Sequence, residues 1–263
     1  MSVDSVARKA IKTTALPFGV PGRVRPGDLV VLLYHRVGQG DREIDQRAEA
    51  FERQMAYLAA RPDTGTLDAG LDGDGRVGVA VTVDDGYRDF YDHVLPVLVR
   101  HGVPALLYLA TGLVEGEGAP RADELPRLTW SQLQEAVASG LVTVGGHTHG
   151  HIDLSRSSEQ EAEDEMRRCK DLIEDRLGVA CRHFAYPWAV AGPAADRAAR
   201  RVFDSAALAW ETNRLGKTDP YRLGRTPVLR NDGMTFFRAK VRGMLDAEAL
   251  AYRALRRGPW RRT

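Results

Sequence analysis

Cysteine is scarce in this chain: Cys169 and Cys181 are the only two in 263 residues. Neither stands in a C-x-x-C pair or beside other metal-type side chains, which argues against a disulfide framework or a cysteine-ligated zinc site. Both read as small buried hydrophobes in a reducing compartment. An excess of charge of one sign is also lacking. With 37 Lys and Arg against 36 Asp and Glu the net charge is +1, so no global field points to nucleic acid. Long apolar runs are absent too: no apolar segment of a secretory signal follows Met1, and the run from Leu29 to Tyr34 is far too short to span a bilayer. The expectation is a cytoplasmic chain without signal peptide or transmembrane helix. Only the ends are locally basic, with Arg8, Lys9 and Lys12 at the start and Arg253, Arg256, Arg257, Arg261 and Arg262 in a tail over 246–263. A solvated tail is the default for such a run, and peripheral contact with an anionic membrane is the alternative.

What is present is centred on Val79-Ala80-Val81-Thr82-Val83-Asp84-Asp85-Gly86-Tyr87. A continuous apolar, β-branched run reads as a strand buried on both faces, as in parallel α/β sheets and barrels. Its two carboxylates then sit at the C-terminal strand edge, where such folds build ligand sites. Neighbouring acids repel, and each resists burial unless paired or bound to a metal. Asp85 as a metal ligand with Asp84 as a base beside it is one solution; a solvated surface turn is the other.

Residues 1–27 read as a short amphipathic arm and a Pro/Gly-punctuated linker, 28–245 as one domain, and 246–263 as the tail. Leu29 to Tyr34 is a second buried strand that ends in His35-Arg36. Phe51, Met55 and Leu58 predict a helix, as do Phe90, Val94 and Leu98 with Gly102 closing. Val103 to Leu109 is a strand, 111–127 a loop long enough to cover a site, and Thr129 with Gln132 a capping box. The strand Leu141–Val144 leads into Gly145-Gly146-His147-Thr148-His149-Gly150-His151. A long helix then runs from about Ser158 to Gly178, a strand over 180–186, a helix over 194–202, a strand over 205–209, and a last helix after Thr235 as N-cap. Strands alternating with helices imply parallel strands joined by crossovers.

Three strand ends therefore carry groups suited to a metal: Asp85, the histidine cluster, and His35. Strand C-termini of a parallel barrel open on one face, so these residues converge despite their separation. Two imidazoles and one carboxylate match a three-ligand catalytic zinc site that retains a water position. His147 and His151 share one face of a helical turn, whereas His147, His149 and His151 would share one face of a strand; Gly145, Gly146 and Gly150 favour the turn.

Thr82-Val83-Asp84-Asp85-Gly86 followed by His147-Thr148-His149-Gly150-His151 resembles the first two motifs of the polysaccharide deacetylase family, T-F-D-D-G and H-[ST]-x-x-H, and Phe184-Ala185-Tyr186-Pro187-Trp188-Ala189 is similar to its third. The resemblance implies an α/β fold, a single-domain distorted (β/α) barrel of about seven strands, and a hydrolase removing an N-acetyl group from an amino sugar in a polysaccharide, glycolipid or glycosylated precursor. It implies a divalent metal, most commonly Zn2+ with Co2+, Ni2+ or Mn2+ as substitutes, held by Asp85, His147 and His151. Asp84 is then the general base, and a backbone N–H at Trp188 stabilises the oxyanion. Trp188, Tyr186 and Tyr87 are the residues expected to line the oxyanion and substrate pocket. Two departures stand out. Ala185 occupies the position of an arginine found in many members, with Arg182 as a nearby substitute, and no histidine follows His183 to act as the late acid. Leu33-Tyr34-His35-Arg36-Val37 resembles the opening of relatives that bring this acid from the first strand, which makes His35 the general acid. These departures keep two alternatives open, a catalytically silent carbohydrate-binding scaffold of the same fold and a small-amide metal amidohydrolase.

Overall fold

The structure, a computed structural model, describes residues 28–38, 40–73, 76–114, 125–209, 213–214 and 217–243. The expected N-terminal arm, the basic tail and most of the long loop after Leu113 lie outside these residues.

Strand β1 (Asp28–Tyr34) is followed by helix α1 (Ala48–Ala59), strand β2 (Val79–Asp84) and a π-helical turn at Phe90–Val94 that continues into α2 (Leu95–His101). Next come β3 (Ala105–Leu109), α3 (Trp130–Ala138), β4 (Val142–Gly146), α4 (Glu159–Leu177), β5 (His183–Ala185), α5 (Pro193–Val202), β6 (Ser205–Ala207), β7 (Thr226–Pro227) and α6 (Met234–Val241). Strands β1 to β6 lie side by side in sequence order, all parallel. β7 pairs with β1 through Leu32 and Leu33, while Leu223 bridges to Ala207 of β6, so residues 223–228 draw the two edges of the sheet together. The result is a curled α/β sheet, a distorted barrel of seven parallel strands with helices outside.

Side-chain alternation along these strands separates two cores. Val79, Val81 and Val83 of β2 and Ala105, Leu107 and Leu109 of β3 pack outward against the helices. Leu29, Val31, Ala80, Leu106, Tyr108, Ala185, Ala207 and Leu223 pack inside the curl. Thr82 and Asp84 share the parity of Ala80, so the barrel interior receives a carboxylate at its upper end.

The helices follow their sequence signals. α1 buries Phe51, Gln54, Met55 and Leu58, α3 opens on the Thr129–Gln132 capping box, and Ser158 caps α4, which stops at left-handed Gly178. One expectation needs correction: α6 starts at Met234 with Gly233 as N-cap, so Thr235 lies within its first turn. The fifth and sixth strands are also shorter than the apolar runs imply. Among the described residues no helix is long and apolar enough to cross a membrane.

Gly145 shows how tightly the interior is filled. A Cβ there would stand 2.7 Å from the His183 carbonyl oxygen and 2.9 Å from the Tyr108 ring, whereas one at Gly140 (φ +73°) would meet nothing within 4 Å. Gly140→Ala is therefore expected to cost only the left-handed backbone penalty of roughly 1–2 kcal/mol. Gly145 is not left-handed, but a Cβ there must displace backbone as well as an aromatic ring, so Gly145→Ala should cost more, about 3 kcal/mol or above, at the upper end of the overpacking range. Urea unfolding of the two variants side by side tests that order.

Candidate active site

The open end of the sheet gathers residues from three loops. Asp84 is the last residue of β2, and Asp85 follows it with φ +77°. Its N–H donates to the Tyr108 carbonyl of β3 at 3.0 Å, which anchors the turn. His147 directly follows β4, and its N–H donates to the Leu109 carbonyl at 3.0 Å. The imidazole Nδ1 lies 2.7 Å from the Ala185 carbonyl of β5. A carbonyl can only accept, so Nδ1 carries the proton and Nε2 is the atom presented to the site. Metal-binding histidines are commonly oriented by such a bond.

Asp85 Oδ1 lies 3.4 Å from His147 Nε2 and 3.2 Å from His151 Nε2. The donor atoms of the three side chains all lie within 4.8 Å of one another, and this trio is the candidate metal cluster among the described residues. The donor set, one carboxylate and two imidazoles from a mostly buried pocket, suits zinc and related divalent ions. Without an ion, burial pushes the Asp85 carboxyl up, but the imidazoles of His147 and His151 and the nearby charge of His35 outweigh it and hold the group well below the usual carboxylate range. Burial pulls His147 down, yet Asp85 and Asp84 together hold it above the ordinary histidine value.

The spacing of His147 and His151 works through a different local geometry from the helical turn expected. The intervening chain is a loop in which Thr148 (φ +61°) and His151 (φ +51°) are left-handed. The two rings end with centroids 5.0 Å apart. His149 turns away, its Nδ1 lying 3.0 Å from the Thr111 hydroxyl, and Gly112 N–H donates to its carbonyl. Five described non-glycine residues have positive φ, namely Asp85, Thr148, His151, Trp188 and Ala189. All five stand in the loops that follow β2, β4 and β5. Backbone strain of this kind persists only where surrounding structure enforces it, and it concentrates at functional sites.

Asp84 is buried and held from inside the barrel. Arg225 Nη1 donates to its Oδ1 at 2.6 Å and Nη2 to its Oδ2 at 2.8 Å, while Arg225 Nε donates to the Leu208 carbonyl at 2.8 Å. Arg225 is 1% exposed, among the largest fully buried side chains. Burial works against its charge, but Asp84 beside it prevails and raises its pKa. Asp84 Oδ2 is also 4.0 Å from His147 Nε2, so the base candidate adjoins the metal cluster. Arg225 was not singled out by sequence. The only signal for it is charge accounting, since a buried pair of acids needs a cation. Arg182, the substitute considered near Ala185, is exposed and pairs with Asp204 and Asp68, each at 2.7 Å.

His35 follows β1, half-buried, within range of the Asp85 charge. Trp188 is 54% exposed, with its ring centroid 4.5 Å from that of His151. Tyr87 is half-buried at the rim between the Arg127 and Arg36 guanidiniums, 4.0 and 5.4 Å from its ring centroid. Tyr186 requires a correction. Alternation along β5 sends Ala185 inward and Phe184 and Tyr186 outward, and the Tyr186 ring is fully buried, packing edge-on to Phe184 at 5.2 Å. It is a core residue and does not line the pocket.

Comparison with known proteins places these observations. The polysaccharide deacetylase family model matches residues 73–202. The Bacillus subtilis (strain 168) protein YxkH, whose name assigns it provisionally to the polysaccharide deacetylases, is 25% identical over 170 residues, covering 62% of this chain and 57% of its own; the chain thus matches little more than half of that relative. The structure of IcaB from Ammonifex degensii is similar with a TM-score of 0.68 at 28% identity, covering 85% of this chain and 97% of that one. The Streptococcus pyogenes deacetylase PplD in complex with acetate has the same fold, with a TM-score of 0.72 at 20% identity over 82% of this chain and 99% of that one.

The buried Asp84–Arg225 pair sets up a stability test. Arg225→Gln leaves Asp84 uncompensated in the interior and should lower the unfolding free energy by about 3–5 kcal/mol. The double variant with Asp84→Asn should recover most of that loss. Denaturant titration of the two single variants and the double variant measures the coupling.

Proposed function

Because the chain belongs to the polysaccharide deacetylase family, we propose that it hydrolyses an N-acetyl group from an amino sugar of a carbohydrate, with a divalent cation, zinc by preference, held by Asp85, His147 and His151. The observation that carries this reading is the meeting of Asp85 Oδ1 with the Nε2 atoms of both histidines beside a second carboxylate fixed by Arg225. When bound, such a cation supplies Lewis acidity toward a carbonyl oxygen and acidifies water.

The chain's own groups divide the remaining work. Asp84 takes the proton of the attacking water. Both its oxygens accept from Arg225, yet each keeps a second lone pair, and the bidentate grip fixes the plane in which they point. His35, near Asp85 on the β1 side, gives a proton to the departing amine, the general-acid role that an imidazole commonly fills. Trp188 offers an exposed aromatic face to a sugar ring beside His151. The reading as a silent scaffold loses one of its motives here, since the cation lost at Ala185 has a counterpart in Arg225.

Three measurements test the assignment. Purified protein dialysed against zinc should retain about one ion per chain, and His147→Ala should lose it. Acetate release from acetylated chitooligosaccharides should fall by roughly 10²–10⁴-fold in Asp84→Asn, the range of a lost general base. His35→Gln should lower kcat far more than it raises KM, because it acts on the leaving amine. Full activity in metal-stripped protein, or in Asp84→Asn, would overturn the assignment.

A further inference from the structure

The rim on the Asp85 side of the site is cationic in an unusual way. Arg127 Nη1 donates to the Asp85 carbonyl at 3.2 Å, and its guanidinium lies 4.0 Å from the Tyr87 ring centroid. Residues 126–128 are stitched to the turn after Asp85: Leu128 N–H donates to the Gly86 carbonyl, Arg88 N–H to the Pro126 carbonyl, and Arg127 bridges Tyr87 in antiparallel fashion. The guanidinium is thus held in place by backbone on both sides. Its Nε is shielded from water yet has no hydrogen-bond partner. Among the described residues no carboxylate pairs with it, in contrast to Arg36, which meets Asp45 at 3.0 Å and Asp89 at 3.4 Å. Arg42 is exposed nearby, its charge also reaching Tyr87, and its guanidinium likewise has no carboxylate partner among the described residues.

A latch on the Asp85 carbonyl needs a single N–H, whereas a guanidinium offers five donors in a planar fork. Nη1 serves that latch and Nε is shielded, which leaves Nη2, with no acceptor among the described residues and not shut off from water, to meet a ligand at the mouth of the site. The geometry points to Arg127, with Arg42 close by, as the docking point for an anionic group, a carboxylate or a phosphate, that the substrate carries next to its acetamido sugar. Planar oxyanions match the fork of an arginine, and charge-assisted bonds to it are the strong ones. The substrate class is then an acidic N-acetylated glycan or a phosphorylated N-acetyl sugar rather than a neutral homopolymer. This deepens the deacetylase reading and rests on it.

The test compares acetate release by the zinc-supplemented full chain from three substrates: neutral penta-N-acetylchitopentaose, a heparosan tetrasaccharide that alternates glucuronate with N-acetylglucosamine, and N-acetylglucosamine 1-phosphate. Wild type should favour one of the two anionic substrates at least about 10-fold in kcat/KM, with the preference shrinking as salt rises. Whichever is favoured separates carboxylate from phosphate. Arg127→Gln should collapse the anionic-to-neutral ratio toward one, and Arg127→Lys should restore part of it. A loss of the Asp85 latch alone lowers every substrate by the same factor, so an unchanged ratio overturns the inference, as does the absence of any preference in wild type. Should no substrate release acetate, the deacetylase reading fails separately. Calorimetry then decides the inference: N-acetylglucosamine 1-phosphate should bind wild type about 10-fold more tightly than the methyl glycoside of N-acetylglucosamine and lose that margin in Arg127→Gln, and equal affinities refute it.

Discussion

Two adjacent carboxylates at the mouth of a fully buried strand are the constraint around which the molecule is arranged. The alternation of β2 sends Asp84 into the barrel, and a left-handed turn at Asp85 swings the next carboxylate onto the open face. Each acid therefore meets its own set of partners. Asp84 has Arg225, buried and bidentate; Asp85 has two imidazoles. The pair of acids with one arginine still carries a net negative charge in a low-dielectric setting, where an uncompensated charge is costly. Asp85 and Asp84 together hold the His147 pKa above the ordinary histidine value against the effect of burial. A divalent cation held by Asp85, His147 and His151 would offset that charge directly, since one ion could serve both imidazoles and the carboxylate.

The same constraint explains where the strain lies. Parallel strands can present residues only at their C-terminal ends, and an extended exit would splay the ligands apart. Left-handed residues after β2, β4 and β5 fold the exits back toward a common point. The non-glycine ones each cost on the order of 1–3 kcal/mol, which the buried strands beneath can sustain because β1 through β6 form one continuous parallel sheet. The hydrogen bond from His147 to the Ala185 carbonyl links two of these exits directly, so the positions of β4 and β5 determine which way an imidazole points.

How much of this is legible in the sequence varies with the kind of signal. The buried β-branched run of β2, the capping box at Thr129 and the closing glycines at 102 and 178 are local patterns, and the corresponding elements follow them. The Asp85, His147 and His151 grouping was legible because parallel topology puts strand ends on one face whatever the loop details. Tyr186 was misplaced because motif resemblance carries no side-chain parity, and one step along β5 reverses which face a residue takes. Arg225 was missed for a different reason: it lies 141 positions from Asp84, in a segment whose role is set by closure of the sheet and by no periodicity of its own.

That segment also bears on how this chain relates to its family. The family match spans residues 73–202, which holds the three metal candidates and Asp84 but neither Arg225 nor His35. The two groups that fix and complement the proposed base thus come from the first strand and the closing strand, which lie beside each other only because residues 223–228 join β6 to β1. The candidate cluster lies within the matched span, whereas Arg225 and His35 lie outside it, so the charge balance around Asp84 depends on the barrel being drawn closed. Loss of that closure would leave Asp84 buried without its partner, and the fold and the site would fail together.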